Sequence, residues 1–358
     1  MKILHIMNEL RFSGAEMLLE SGGAYFNQHG ITNVVLSTGD DVGEFAENLK
    51  RAGFEIAHIP FSRSLRFFVN FANFLRLNGF DVVHCHSERA NFWYGLLSSM
   101  FIRRVVRTVH NEFPFEGRLK IVRGLQRRML YAAGVTFVAC SARVALNERK
   151  RFGLNCEMIP NWLDPARVSL VSAESRQHAR AKLDIEEREL CIVSLGNYGP
   201  AKNHETIVAA VRLCAESFPI RYLHCGAGGE QLAQKMAVAV DEPVTFMGAV
   251  TDINEVLAAS DAFVSASFFE GGQVSLLEAG KSGVVCITTR VGLAEELEGM
   301  ANVVFIEPTV ESLVEALSRL RPSSCSDRTS EAKELSEFIS SRYTPAVGAA
   351  AYVCLYRA

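Results

Sequence analysis

Phe263-Val264-Ser265-Ala266-Ser267-Phe268-Phe269-Glu270-Gly271-Gly272-Gln273-Val274-Ser275-Leu276-Leu277-Glu278-Ala279 decides how this chain is read. A short apolar run leads into a turn with two adjacent glycines, and a helical run follows at once. Apolar runs that do not alternate suit parallel strands covered on both faces. A strand that passes through a glycine turn into a helix is half of a βαβ unit.

The same rhythm extends in both directions. Towards the N-terminus, strands are expected at 190–195, 220–225 and 243–247; towards the C-terminus, at 284–288 and 302–306. Helices are expected between them at 203–217, 228–239, 251–259, 274–282 and 309–320. The first half repeats the pattern, with strands at 2–8, 32–38, 54–60, 80–86, 104–109, 135–140 and 156–160. Asn161, Asp164 and Pro165 interrupt it. The chain is therefore expected to be α/β, with two Rossmann-like doubly wound parallel sheets in domains 1–164 and 165–343. Its 358 residues exceed what one core usually supports. A loop is expected at Pro322–Asp327, followed by helices near 328–341 and 344–357.

Composition is that of a globular protein, with 49% hydrophobic and 22% charged residues. Charge is unevenly spread. Residues 1–164 carry 20 basic and 15 acidic residues (+5), and residues 165–358 carry 17 and 25 (−8), which sum to the net −3. Segment 101–151 alone holds 12 basic and 3 acidic residues. It reads either as a solvated helix face or as a surface for anionic lipid. No nucleic-acid partner is expected. The chain shows no signal-like leader and no run long enough to span a membrane. The nine cysteines are scattered, without a C-x-x-C pair, and read as buried reduced thiols. A cytoplasmic location is expected, with peripheral contact at the inner membrane face as an extension.

Candidate site residues are those just past the strands, where ligands of such sheets bind. Gly14 follows the first strand and opens a helix whose N-terminus favours an anion. His84-Cys85-His86 and His110 follow two adjacent strands, where isolated histidines are more often structural. No third and fourth ligand stands at zinc spacing, so no metal is expected. Asn197 and Lys202 follow strand 190–195, and a Lys at a glycine turn before a helix suits a diphosphate. Glu270 lies in the two-glycine turn and Glu278 on the next helix. Paired carboxylates at one helix mouth accept from vicinal hydroxyls, as a sugar and a ribose require. A capping Glu and a surface Glu would produce the same letters.

In order along the chain stand Ser13-Gly14-Ala-Glu16, Asp81-Val-Val-His84-Cys-His86, His110, Ala139-Cys-Ser141, Ile159-Pro-Asn161-Trp-Leu-Asp164, Lys202-Asn203, Gly226-x-Gly228, Phe246-Met-Gly248, Glu270-x7-Glu278, and Gly292 with Glu296. This ordered set resembles the family 4 glycosyltransferases of GT-B architecture. The resemblance implies two such domains facing a central cleft. It implies sugar transfer from a UDP- or GDP-linked donor with retention of configuration and without an obligatory metal or cofactor. The acceptor is then a glycan or a lipid-linked precursor.

The resemblance assigns Glu270 and the amides of Gly272, Gln273 and Val274 to the donor sugar. It assigns Glu278 to the ribose, Lys202 and Gly14 to the diphosphate, and His110 to the reacting sugar. The terminal helix at 344–358, with Tyr352 and Tyr356, is expected to cross back onto the first domain. Three positions depart from the pattern: Ser13 replaces a glycine, Asn197 an arginine, and Trp162 a glycine. Arg290 is the candidate to replace the missing cation. The alternatives are a degenerate binding subunit of the same fold and a nucleotide-sugar epimerase.

Overall fold

A computed structural model describes residues 1–88, 90–320 and 329–358. The expected loop at 322–327 lies outside the described residues. The chain forms two compact units: Met1–Trp162 together with Thr344–Ala358, and Leu163–Tyr343.

The first unit alternates β1 (Lys2–Met7), α1 (Gly14–Gln28), β2 (Thr32–Ser37), α2 (Ala46–Arg51), β3 (Glu55–His58), α3 (Leu65–Asn78), β4 (Val82–Cys85), α4 (Asn91–Phe101), β5 (Arg104–Val109), α5 (Gly117–Ala132), β6 (Thr136–Ala139), α6 (Ala142–Phe152) and β7 (Glu157–Met158). Its strands pair in parallel in the order β3-β2-β1-β4-β5-β6-β7. Sequence and geometry agree on the helix ends. Ser64 accepts from Phe67 N–H to start α3, and Gly79 (φ 60°) stops it in the left-handed region. Ser141 caps α6 in the same way, and Gly153 (φ 71°) ends it.

The second unit contains α7 (Ala173–Lys182), β8 (Leu190–Leu195), α8 (His204–Ala215), β9 (Ile220–Cys225), α9 (Gly229–Met236), β10 (Val244–Gly248), α10 (Ile253–Ala259), β11 (Ala262–Ser265), α11 (Val274–Ser282), β12 (Val285–Thr289), β13 (Val303–Ile306), α12 (Val310–Arg319) and α13 (Thr329–Arg342). Its parallel sheet has the order β10-β9-β8-β11-β12-β13. Helix α7 follows the interruption at Asn161, Asp164 and Pro165. Its Arg180 is buried and donates to the carbonyls of Ala259 and Glu189, so a polar helix is tied to the end of α10 and the start of β8.

Each sheet reverses its winding between the first and fourth strands of its unit, β1 and β4 in one and β8 and β11 in the other. Ligands of doubly wound sheets enter at such a reversal, past the strand ends. Apolar clusters fill both faces of each sheet, as the continuous apolar strands require.

The last helix, α14 (Pro345–Arg357), belongs to the first unit and packs on α1. Trp162 explains how. Its ring is buried, its Nε1 donates to Ser21 Oγ at 3.0 Å, and a Cβ placed at Gly348 would meet the ring at 2.1 Å. The indole thus fills a seat that only a glycine on α14 leaves open. The departure from the family pattern at this position is a packing choice.

Candidate active site

In the second unit, the loops after β8 and β11 meet at the winding reversal. Phe268 N–H donates to Ala201 O at 2.8 Å, and Asn203 Nδ2 donates to Ala266 O at 3.1 Å. Asn203 holds φ 53°, a left-handed conformation that asparagine tolerates. These bonds place Lys202 Nζ 2.6 Å from Glu270 Oε1, which also accepts from Ser267 Oγ at 2.9 Å. Gly292 backs the turn. A Cβ there would lie 2.3 Å from Gly271 O, and φ is 55°. The glycine is needed because the two loops touch through backbone.

Gln273 is the N-cap of α11, with a buried Oε1 that has no hydrogen-bond partner. Glu278 lies one turn further along the helix at 5% exposure, with Arg167 Nε 3.0 Å away. Burial raises the Glu278 carboxyl to about 7, and Arg167 opposes the rise. The turn therefore offers a cation, a carboxylate and the amides of a helix start.

The glycines of the neighbouring loop are similarly crowded. A Cβ on Gly226 would stand 2.1 Å from Gly196 O. Asn197 Oδ1 accepts from Ala227 N–H at 2.9 Å, so the residue that replaces the family's arginine fastens the two loops together. Arg290 lies 4.2 Å over the Phe305 ring and pairs with Glu298 at 2.7 Å. Its guanidinium is engaged there rather than at Lys202.

The first unit carries a different chemistry at its own reversal. Strand register sets His5 of β1 opposite His84 of β4. Period-two alternation then puts His84, His86, Thr108 and His110 on one face. His5 Nδ1 lies 3.1 Å from His86 Nε2, and His86 Nδ1 lies 3.1 Å from His110 Nε2. His84 bonds Tyr356 OH at 2.5 Å and Thr108 Oγ1 at 2.7 Å, and Thr108 bonds Tyr352 OH at 2.7 Å. Burial lowers His5 and His110 to about 4 and holds His84 and His86 well below the usual range. The rings are neutral at pH 7.

His5, His84 and His86 stand close enough to share a metal ion. Spacing along the chain could not show the third imidazole. Hydrogen bonds already occupy both nitrogens of each ring, so the arrangement is a bonded array and not an open chelate. Gly14 starts α1, where Ser13 Oγ bonds the buried carboxyl of Glu16.

The sequence profile described as Glycosyltransferase Family 4 matches residues 12–167, and that described as Glycosyl transferases group 1 matches residues 189–321. The chain belongs to the family 4 glycosyltransferases. Over 321 residues the transferase is 25% identical to an Escherichia coli UDP-Gal:alpha-D-GlcNAc-diphosphoundecaprenol alpha-1,3-galactosyltransferase, covering 81% of this chain and 79% of that one. Its fold matches that of Anabaena HepE, solved with UDP and glucose, at 18% identity and TM-score 0.79 over all of both chains. It also matches a Rickettsia africae glycosyltransferase at 16% identity and TM-score 0.79, covering 99% and 97%. The architecture of this glycosyltransferase is therefore GT-B.

Within the transferase, the second unit gathers Lys202, Glu270, Gly272, Gln273, Val274 and Glu278 around one helix start, with Asn197 in the adjoining loop. His110 and Gly14 belong to the first unit. Sequence reading missed Ser267, Arg167 and Asn203 as partners in the site, because their roles depend on which loops touch. It also missed His5 and Asn33, which lie inside strands and carry no loop signal.

The basic segment 101–151 needs a correction. Arg107 and Arg127 are buried, not surface charges. Arg127 pairs with Glu148 at 2.8 Å and Glu88 at 3.2 Å, and Arg107 also pairs with Glu88. Arg118, Lys120, Arg128, Arg149 and Lys150 remain exposed.

Proposed function

We propose that this glycosyltransferase moves a sugar from a uridine diphosphate sugar to a lipid-linked precursor of a polysaccharide or glycoconjugate, with retention of configuration. The Lys202–Glu270 contact at the mouth of α11 carries this reading. Lys202 and the amides at the helix start stabilise the negative charge that grows on the departing diphosphate. Glu270 and the amides of Gly272, Gln273 and Val274 hold the sugar hydroxyls, and Glu278 holds the ribose. The bond from the anomeric carbon to the phosphate oxygen breaks. The acceptor oxygen bonds the same face, and its proton passes to the departing phosphate. His110 orients the reacting sugar, and Gly14 lines the phosphates. No metal enters these steps. The UDP complexes of HepE and the UDP-Gal donor of the E. coli relative favour uridine over guanosine.

The acceptor assignment rests on the first unit. On α5, Leu119, Ile121, Val122, Leu125, Met129 and Tyr131 are exposed beside Arg118, Lys120 and Arg128. A core helix would bury that apolar stripe; here Arg127 and Leu130 are the buried residues. Phe61, Phe92, Trp93, Leu119 and Val122 line a 510 Å³ pocket that also reaches Arg63 and Arg123. An apolar pocket with two cations suits an isoprenoid chain bearing a phosphate. Among the described residues, no helix is long and apolar enough to cross a membrane.

Calorimetric titration with UDP, GDP and their sugars tests the donor site. One nucleotide should bind, and Glu278→Ala should weaken it; binding by none of them would end the reading. Vesicles with and without anionic lipid test the acceptor face. Wild type should bind anionic vesicles at low salt and Leu125→Ser less, whereas equal binding to neutral vesicles would remove the electrostatic part.

A further inference from the structure

Three histidines of the first unit, His5, His86 and His110, form an ordered line, and the line has an end. Asn33 sits inside β2 among Val34, Val35 and Leu36, at 1% exposure. A buried carboxamide is costly unless it is bonded. Its Oδ1 lies 3.0 Å from His5 Nε2, and its Nδ2 is buried without a partner. The placement of this polar residue in a core strand is thus tied to His5.

The consequence follows from proton counting. A neutral imidazole carries one N–H, so a ring that donates on one side must accept on the other. Asn33 presents an oxygen, so His5 donates from Nε2 and accepts at Nδ1. His86 then donates from Nε2 to His5 and accepts at Nδ1. His110 in turn donates from Nε2 to His86, and its Nδ1 keeps a lone pair. The line does not export a proton, because a carboxamide cannot take one up. Burial disfavours a charged ring anywhere along it, as the lowered His5, His86 and His110 indicate.

We propose that Asn33 fixes the tautomer of His110 through His5 and His86, so that His110 meets its substrate as a hydrogen-bond acceptor at Nδ1. This rests on the reading of His110 as the residue beside the reacting sugar. Asn33, His5 and His86 are positioning residues. The bond on one ring nitrogen decides what the other can do. A hydroxyl of the sugar or acceptor would donate to Nδ1, whereas a carbonyl or phosphate oxygen would be repelled there.

The test uses the full chain labelled with ¹⁵N-histidine, since protonated and bare ring nitrogens differ in ¹⁵N shift. In the wild type, His5, His86 and His110 should all show a protonated Nε2 and a bare Nδ1. Asn33→Leu and His86→Leu should collapse the His110 pattern towards a mixture. His86→Gln should restore it, because one carboxamide can donate to His5 and accept from His110. His86→Leu should lower kcat by roughly 10- to 100-fold, the usual effect of losing an outer partner of a functional histidine, with the donor KM unchanged. Thermal unfolding followed by circular dichroism reports that each variant is folded.

A protonated Nδ1 on wild-type His110, or a pattern that neither leucine variant moves, would overturn the proposal. If the tautomers obey it but His110→Ala keeps full kcat, the lock stands and the catalytic reading of His110 falls.

Discussion

The two winding reversals occupy the same place in two sheets that share the order of their first six strands, yet they hold opposite chemistries. In the second unit, Lys202 and Glu270 pair at 2.6 Å with side chains 32% and 11% exposed. In the first unit, neutral His5 and His86 lie buried and partly buried His110 continues the series. Charge suits a diphosphate, whose departure must be stabilised. A neutral array suits a hydroxyl, whose direction must be fixed without a charge to solvate. One topology supplies the location, and the residues placed there set its chemistry.

The contrast can be broken at several points. Lys202→Ala should lower kcat by about 10²–10³-fold, the range for removing a group that stabilises charge in the transition state. Steady-state rates with a UDP-sugar measure this, and a loss confined to KM would place Lys202 in ground-state binding only.

Glu278→Gln should weaken UDP by about 10- to 100-fold, as for a lost hydrogen bond to a charged group. The wild-type carboxyl stands at about 7 instead of 4.5, so affinity should rise as pH increases through 7. The substitution should flatten that rise. Stability has the opposite sign. The fold holds this proton more tightly than the unfolded chain does, so stability is fullest below pH 4.5 and declines as pH rises towards 7. The Glu278→Gln protein should therefore melt above wild type at pH 8, with the gap closing towards pH 5.

Gly292→Ala should cost about 1–2 kcal/mol for the left-handed backbone alone and should weaken donor binding through the displaced Gly271. Denaturant unfolding and calorimetry read the two effects separately. The smallest change is expected on the neutral side. Thr108→Val removes the hydroxyl between His84 and Tyr352 and should cost about 1 kcal/mol. UDP affinity should not change.

Much of this was legible in the letters. The strands at 190–195 and 220–225 and the helix at 274–282 are found with those bounds, because period and glycine punctuation are local properties. Glu270 and Glu278 could be read as a pair because one turn and one helix carry both. The partners of those residues were not legible. Arg167 reaches Glu278 across more than a hundred positions, and Lys202 meets Glu270 through loops of two different strands. Arg107 and Arg127 looked like surface charge because a sequence does not reveal that Glu88 and Glu148 close over them.

The sequence by itself determined the parallel α/β architecture and its two domains, since backbone propensity and burial pattern act over short range. Tertiary structure decided which charges are spent inside the protein, why Trp162 and Gly348 must occur together, and that His5, His86 and His110 stand in one line ending at Asn33. Those outcomes depend on strand register, and register sets side by side residues that the chain holds far apart.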